Sequence, residues 1–210
     1  MDMTNIDSIT LDVADTTAAD RFYSTAFGLG PQVRLRASQE PSAGFRGYTL
    51  SLMVSQPADV DALVGAALDA GATELKPVAK SFWGYGGVVR APDGSIWKVA
   101  TGAKKNSGPA TRGIDDMVLL LGVEDVAASK RFYVDHGLTV AKSFGRVYVE
   151  FESGERPVKL ALYRHKALAK DAGVPAEGSG SHRLTIGGGA GAFTDPDGFA
   201  WEAAAPAHSS

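Results

Sequence analysis

Few side chains in this sequence are equipped for chemistry, and their types narrow the choices. There is no cysteine, which removes disulfides, thiolate nucleophiles and cysteine-based zinc sites. No Gly-x-Ser-x-Gly elbow accompanies an ordered acid and histidine, so nucleophilic serine chemistry has no support. Proton transfer and binding are left. The imidazole of His182 and the carboxylate of Glu202 form an acid–base pair if the fold brings them together. The segment Phe82-Trp83-Gly84-Tyr85-Gly86-Gly87 interleaves large rings with glycine, which lets a ring lie flat against a ligand or a neighbouring backbone. Trp83 and Tyr85 are the ligand contacts expected from it. The run Gly187-Gly188-Gly189-Ala190-Gly191 would cradle a phosphate only ahead of a helix N-terminus. No helix is expected after it, so it reads as a tight connection.

The elements that must position these residues come in two copies. Val13-Ala14-Asp15, Arg21-Phe22-Tyr23 and Gly28-Leu29 return as Val123-Glu124-Asp125, Arg131-Phe132-Tyr133 and Gly137-Leu138, with Asp125 and Tyr133 lying 110 residues after Asp15 and Tyr23. Pro92-Asp93-Gly94-Ser95-Ile96-Trp97-Lys98 returns as Pro196-Asp197-Gly198-Phe199-Ala200-Trp201-Glu202, here 104 residues later. Ordered echoes at both ends of a segment mark an internal duplication whose second copy is slightly shorter.

Each copy opens with an apolar run, residues 9–13 and 117–123, that reads as a buried strand ended by a turn-forming Asp. Asp15 and Asp125 cap the helices that follow, and Gly28 and Gly137 stop them. Phe22, Tyr23, Phe132 and Tyr133 seal these helices against a sheet rather than catalyse. The first copy continues with strands over 33–37 and 48–55 and a helix over 58–70. Strands over 73–78, 87–90 and 96–100 complete it, with Pro92-Asp93-Gly94 as a hairpin turn. Residues 103–113, polar and rich in glycine and proline, are the linker. The second copy predicts strands over 139–144, 147–151 and 158–163, a short helix over 166–172 and a loop over 178–181. A last unit starting at His182 lacks a long helix of its own.

Strand, Val-x-Asp, Phe-Tyr helix, Gly-Leu and terminal Pro-Asp-Gly hairpin together resemble the vicinal oxygen chelate superfamily, the glyoxalase, bleomycin-resistance and extradiol-dioxygenase group, over nearly the whole chain. The resemblance implies an α+β fold of paired βαβββ modules, each pair curling into a half-open barrel around a concave site. Two such domains are implied, residues 6–102 and 114–205. In active members a divalent metal sits on the barrel floor, held by His, Gln or Glu from a module's first strand and from the final strand just beyond Pro-Asp-Gly.

In the first domain those positions fall on Ser8, on Thr49 or Tyr48, and on Lys98. An ammonium has no lone pair and repels a cation, so no metal is expected there, and Lys98 is either an anchor for an anionic ligand or a strand residue reaching solvent. In the second domain they fall on Val118, with Asp116 two residues earlier on the same strand face, and on His182 and Glu202, with His165 a further contributor. His182, Glu202 and Asp116 thus form the implied metal set, suited to Zn, Fe, Mn, Ni or Co. The opposing reading leaves all three as surface residues. Trp97 and Trp201 alternate away from Lys98 and Glu202 and are expected to pack under helices.

Composition limits the function further. The 210 residues, 44% hydrophobic and 21% charged, hold enough apolar material for two compact cores. A formal net charge of −3 argues against nucleic acid as a partner. No run of apolar residues long enough to span a bilayer is present and the N-terminus lacks a signal-peptide pattern, so no membrane partner is expected and a cytoplasmic location is. The leading expectation is a glyoxalase/bleomycin-resistance-like protein, a monomer of two domains or a homodimer, binding a small organic molecule in an aromatic cleft. Under this reading no cofactor is bound and Lys98, Trp83 and Tyr85 contact the ligand. The alternative is a metal-dependent lyase or dioxygenase with one divalent metal in the second domain and His182 and Glu202 catalytic. A third reading is a regulatory or structural module whose concavity is closed.

Overall fold

The computed structural model describes residues 6–204; residue 205 of the second expected domain lies outside them. The first copy gives β1 (Ile6–Val13), α1 (Thr16–Ala26), β2 (Val33–Ala37), β3 (Ser42–Gly44), β4 (Tyr48–Met53), α2 (Pro57–Asp69), β5 (Thr73–Ser81), β6 (Gly84–Arg90) and β7 (Ile96–Thr101). The second gives β8 (Asp116–Val123), α3 (Val126–Asp135), β9 (Val140–Phe144), β10 (Tyr148–Phe151), β11 (Val158–Arg164), α4 (His165–Ala172), β12 (Gly178–Gly180), β13 (Leu184–Gly188), β14 (Phe193–Thr194) and β15 (Ala200–Ala203). Among the described residues no helix is long and apolar enough to cross a membrane.

The repeated words do repeated work. The side chains of Asp15 and Asp125 accept from the backbone N–H of Ala18 and Ala128, each at 3.0 Å, and so satisfy a donor that the helix cannot. In the first copy the Tyr23 hydroxyl donates to Asp93 at 2.5 Å and accepts from Trp97 Nε1 at 3.3 Å. In the second, Tyr133 donates to Asp195 at 2.5 Å and accepts from Trp201 Nε1 at 3.2 Å. The same clasp therefore ties each Phe-Tyr helix to its own closing hairpin, and Trp97 and Trp201 are buried as expected. Burial first, and then the adjacent carboxylate, pushes both tyrosine hydroxyls far above their ordinary range, so both remain neutral donors. Asp197, the counterpart of Asp93, instead accepts from Glu124 N and Ser129 Oγ at 3.0 Å each at the start of α3.

Sheet connectivity corrects the expectation that each copy curls its own two modules into a barrel. The complete modules are the inner two, β4-α2-β5-β6-β7 and β8-α3-β9-β10-β11. They join through antiparallel β4 and β8, from Tyr48↔Leu121 to Met53↔Asp116, giving the order β5-β6-β7-β4-β8-β11-β10-β9. The outer two modules are truncated to β1-α1-β2 and β13-β14-β15, and join through antiparallel β1 and β13, from Ser8↔Gly187 to Leu11↔Leu184. A bridge at Ile6↔Val158 makes one 13-stranded sheet of the two groups, and β3 and β12 form a two-stranded ribbon between the copies.

The linker accounts for the inner pairing. Gln56 Oε1 accepts from Ser107 N at 2.8 Å, and Asp59 Oδ1 accepts from Thr111 N at 2.6 Å and Arg112 N at 3.0 Å. These ties hold residues 103–113 against the start of α2, just past the end of β4. Asp115 N then bonds to Met53 O at 2.8 Å, so the second copy is delivered onto the free edge of β4.

Candidate functional site

The face of the inner sheet turned away from α2 and α3 is the one on which the family resemblance places chemistry. One row crosses it: Lys98 on β7 lies beside Ser51 on β4, Ser51 beside Val118 on β8, and Val118 beside Lys159 on β11. These are the first and last strands of both complete modules. The row offers two ammoniums, a hydroxyl and an alkyl group where a divalent metal would need imidazole or carboxylate. Both lysines already have acidic partners. Lys98 Nζ lies 3.0 and 3.1 Å from the two oxygens of Asp171, and Lys159 Nζ lies 3.2 Å from Asp116 Oδ2. Ser51, not Thr49 or Tyr48, occupies the β4 position.

Asp171 belongs to α4, which lies across the neighbouring row. Its Leu168, Ala169 and Ala172 are buried with Val88, Ile96 and Phe45, and Leu120 and Tyr163 pack against this group. The helix ends at Gly173, whose φ of 76° reaches the left-handed C-cap conformation. Much of the floor is therefore filled by the chain itself.

The outer sheet has the corresponding row Ser8, Gly187 and Glu202. Only Glu202 offers a carboxylate. Gly187 offers no ligating side chain, and a Cβ there would lie 2.7 Å from Ser8 Oγ. In the adjoining row Arg36 bonds to Asp12 and to Thr185 Oγ1, both at 2.8 Å. The hydrogen bond to Asp12 holds its guanidinium pKa up against the opposing effect of burial, with the charge of Glu202 adding to it.

His182 is not with these residues. It precedes β13, beside the turn at Gly198, four strand residues from Glu202 and thus roughly 13 Å away along the strand at ~3.3 Å per residue. Its Nδ1 lies 2.6 Å from Arg46 O and its Nε2 3.0 Å from Asp197 O, while the ring stacks on Phe199 at 4.0 Å. With a carbonyl oxygen against each nitrogen, neither ring nitrogen is open to a metal or to Glu202. The structure does not bring Glu202, His182 and Asp116 together, and among the described residues no group of three His, Asp or Glu side chains is placed to hold a metal.

The aromatic expectation also separates. Phe82 is 87% and Trp83 84% exposed at the tip of the β5–β6 hairpin, with their rings edge to face at 5.0 Å. Tyr85 packs against the main core and donates to Asp61 Oδ1 on α2 at 2.7 Å. Trp83, Tyr85 and Lys98 therefore line no common cleft. The glycines serve the sheet instead: a Cβ at Gly84 would lie 2.0 Å from Thr101 O, and one at Gly86 2.8 Å from Val99 O.

Sequence reasoning missed a cleft of about 390 Å³ where the two copies meet, lined by Phe45, Arg46, Glu124, His165, Lys166, His182 and residues 177–181, Glu177 among them. The β12–β3 ribbon forms one wall, and Gly178 is required there because a Cβ would lie 2.0 Å from Phe45 O. The His165 and Phe45 rings lie 5.1 Å apart, and His165 Nε2 lies 2.8 Å from Ala176 O. Arg46 Nη2 donates to Asp93 O at 2.7 Å. The signal was present in the Gly-Ser-Gly-Ser run, which reads as a loop until β3 supplies its partner.

Compared with known proteins, no family model and no curated protein matches the chain. Solved structures do match in fold. A mutant of glyoxalase I from Zea mays superposes with a TM-score of 0.62 at 13% identity, over 96% of this chain and 93% of that one. Glyoxalase I from Zea mays gives 0.60 at 15%, over 94% and 90%. A protein from Bacillus subtilis subsp. subtilis str. 168, provisionally assigned as a dioxygenase, gives 0.54 at 13%, over 93% and 72%. At these identities the likeness is one of fold, and it runs through both copies.

Proposed function

We propose that this chain, which has the duplicated vicinal oxygen chelate fold, binds a small organic anion and does not work as a metal-dependent lyase or dioxygenase. One observation carries the reading: the row on which a metal would rest is Lys98, Ser51, Val118 and Lys159. A divalent ion there would face two cations and no imidazole or carboxylate of the row. The residues of this row do not fit a metal.

The cleft between the copies supports a ligand of modest size, since about 390 Å³ falls in the range of small-molecule sites. His165 offers a ring face backed by Phe45 and Lys166 offers a positive charge, while Glu124 and Glu177 also line the cleft and the Arg46 guanidinium is turned to Asp93 O. A planar molecule whose carboxylate meets Lys166 and whose ring lies against His165 suits this arrangement. The packing of α4 beside the floor row favours a second reading, an interaction module with a closed concavity.

Elemental analysis of protein purified without chelators or a metal-binding tag, followed by calorimetric titration with aromatic carboxylates, tests the proposal. The expected result is no stoichiometric metal and binding weakened roughly tenfold, about 1.4 kcal/mol, by Lys166→Glu. Stoichiometric metal lost on Lys98→Ala, or carboxylate binding indifferent to both Lys166→Glu and His165→Gln, would overturn it. A chain that binds none of the carboxylates leaves the second reading in its place.

A further inference from the structure

The duplication supplies its own comparison for the outer edge of β2. β2 runs parallel to β1 with Ile9↔Val33 and Leu11↔Leu35, as β11 runs parallel to β8 with Leu119↔Leu160 and Leu121↔Leu162. The two registers coincide under the 110-residue repeat, so Val33 and Leu35 stand where Leu160 and Leu162 stand. In the complete module the chain adds β10 outside β11, antiparallel, with Tyr148↔Tyr163, Val149↔Leu162 and Glu150↔Ala161. Val149 and Phe151 are buried there, and the Phe151 ring lies 5.7 Å from Tyr133.

In the truncated module nothing takes that place: among the described residues β2 pairs with β1 only. Its outer edge, beyond the turn that pairs Val33 N with Gly30 O, is open to another strand at Leu35 and Ala37. Beneath it, Tyr23, Leu29, Val33 and Leu35 form the apolar part of a groove of about 400 Å³ against α1. Tyr23 is the counterpart of Tyr133, so this groove is the slot that Val149 and Phe151 fill in the other copy.

We propose that this edge and groove dock an extended segment of a partner protein in which apolar residues alternate with acidic ones. The register specifies the charge. A residue standing where Glu150 stands would face Arg34, the counterpart of Ala161. Arg34 is exposed and has no side-chain hydrogen bond or ion pair among the described residues, whereas Arg36 is held by Asp12. Asp20 lines the groove on the helix side, so the acid belongs on the outer face and the apolar residues enter the groove. A second copy of β2 fits poorly, because antiparallel self-pairing would set Arg34 and Arg36 against each other. The mode is strand addition, with main-chain hydrogen bonds for affinity and alternate side chains for specificity. It is independent of the ligand cleft.

The test uses the chain's own strand as the probe: a fluorescein-labelled peptide with the sequence of residues 146–153, titrated with the full protein by fluorescence anisotropy. Saturable binding is expected, weakened by about tenfold or more when the peptide carries Glu150→Lys or the protein carries Arg34→Glu, and largely restored when both changes are combined. A peptide N-methylated at the amides that would face β2 should not bind. Arg34→Glu alters an exposed side chain, and circular dichroism confirms that the variant is folded. The proposal is overturned if the probe does not bind, if the N-methylated peptide binds equally well, or if Arg34→Glu has no effect. A dimer in sedimentation that Arg34→Glu dissociates assigns the edge to a second copy and overturns it as well.

Discussion

Replacing Tyr133 by Phe removes one oxygen on which two other buried groups depend. The hydroxyl donates to Asp195 Oδ2 at 2.5 Å and accepts from Trp201 Nε1 at 3.2 Å, and all three side chains are buried. The ring contacts with Phe151 and Trp201 survive the substitution, so the hydrogen bonds alone are lost. Stripping a donor from a buried charged acceptor costs about 1–3 kcal/mol and orphaning the indole N–H adds to it, so about 2–4 kcal/mol is expected near neutral pH.

The cost should depend on pH. Burial holds the Asp195 carboxyl above its ordinary range, and the Tyr133 hydrogen bond pulls it part of the way back. The folded state therefore keeps this proton to higher pH than the unfolded state. The Asp195 contribution to stability falls as pH rises from the unfolded pKa through the folded one. Without the Tyr133 hydroxyl the folded pKa rises further, so the variant and the parent converge as pH falls into that window and Asp195 becomes protonated. Urea unfolding followed by circular dichroism at about pH 7 and about pH 4.5 measures both terms. A cost below about 0.5 kcal/mol at neutral pH, or one equal at the two pH values, refutes the reasoning. Tyr23→Phe is the internal control. Ser95 Oγ there still donates to Asp93 at 2.6 Å and accepts from Trp97 at 2.9 Å, so its cost should be about half as large.

Further outcomes follow from other contacts. Gly187→Ala brings a Cβ to 2.7 Å from Ser8 Oγ, which can rotate aside, and should lower stability by no more than about 1 kcal/mol in the same unfolding assay. Lys98→Met breaks a pair whose side chains are 34% and 42% exposed, so a loss under about 1 kcal/mol is expected, with faster amide exchange confined to α4. Asp125→Ala removes the α3 cap and should cost about 1 kcal/mol. Burial pushes the Asp59 carboxyl up, but the N–H groups of Thr111 and Arg112 outweigh it and hold the pKa below its ordinary range. Asp59→Ala should therefore release the linker and speed tryptic cleavage at Lys104 and Lys105, measured by mass spectrometry.

The sequence made the elements legible because each was announced by local chemistry. Asp15 and Asp125 are caps, Phe22-Tyr23 and Phe132-Tyr133 are sealing aromatics, and Pro-Asp-Gly is a turn, all as expected. Sheet partnership was not legible, because an open β4 edge carries no mark of whether β1 or β8 will take it. The decision lies in hydrogen bonds between Gln56 and Asp59 and a linker that looked featureless. Of the candidate site, Lys98 was legible as a residue hostile to a cation, and its row neighbours Ser51, Val118 and Lys159 were not, because register is set by strand pairing. His182 was misplaced because counting from the start of a strand is uncertain by several residues, and the register assigns its expected position to Gly187. Trp83 misled because glycine beside aromatics signals close backbone approach as readily as a binding face.

The pairing of β1 with β13 also governs how the chain emerges during synthesis. Residues 6–13 leave the ribosome before their partner at 184–188, which is made some 175 residues later. At ~5–20 residues per second this is a wait of roughly 10–35 seconds. Throughout it β1 presents one open edge to its surroundings, and β4 waits in the same way until the linker delivers β8. The nascent chain thus carries two unprotected strand edges of its own making, which places the greatest demand for chaperone cover on the first copy, before the second exists to satisfy it.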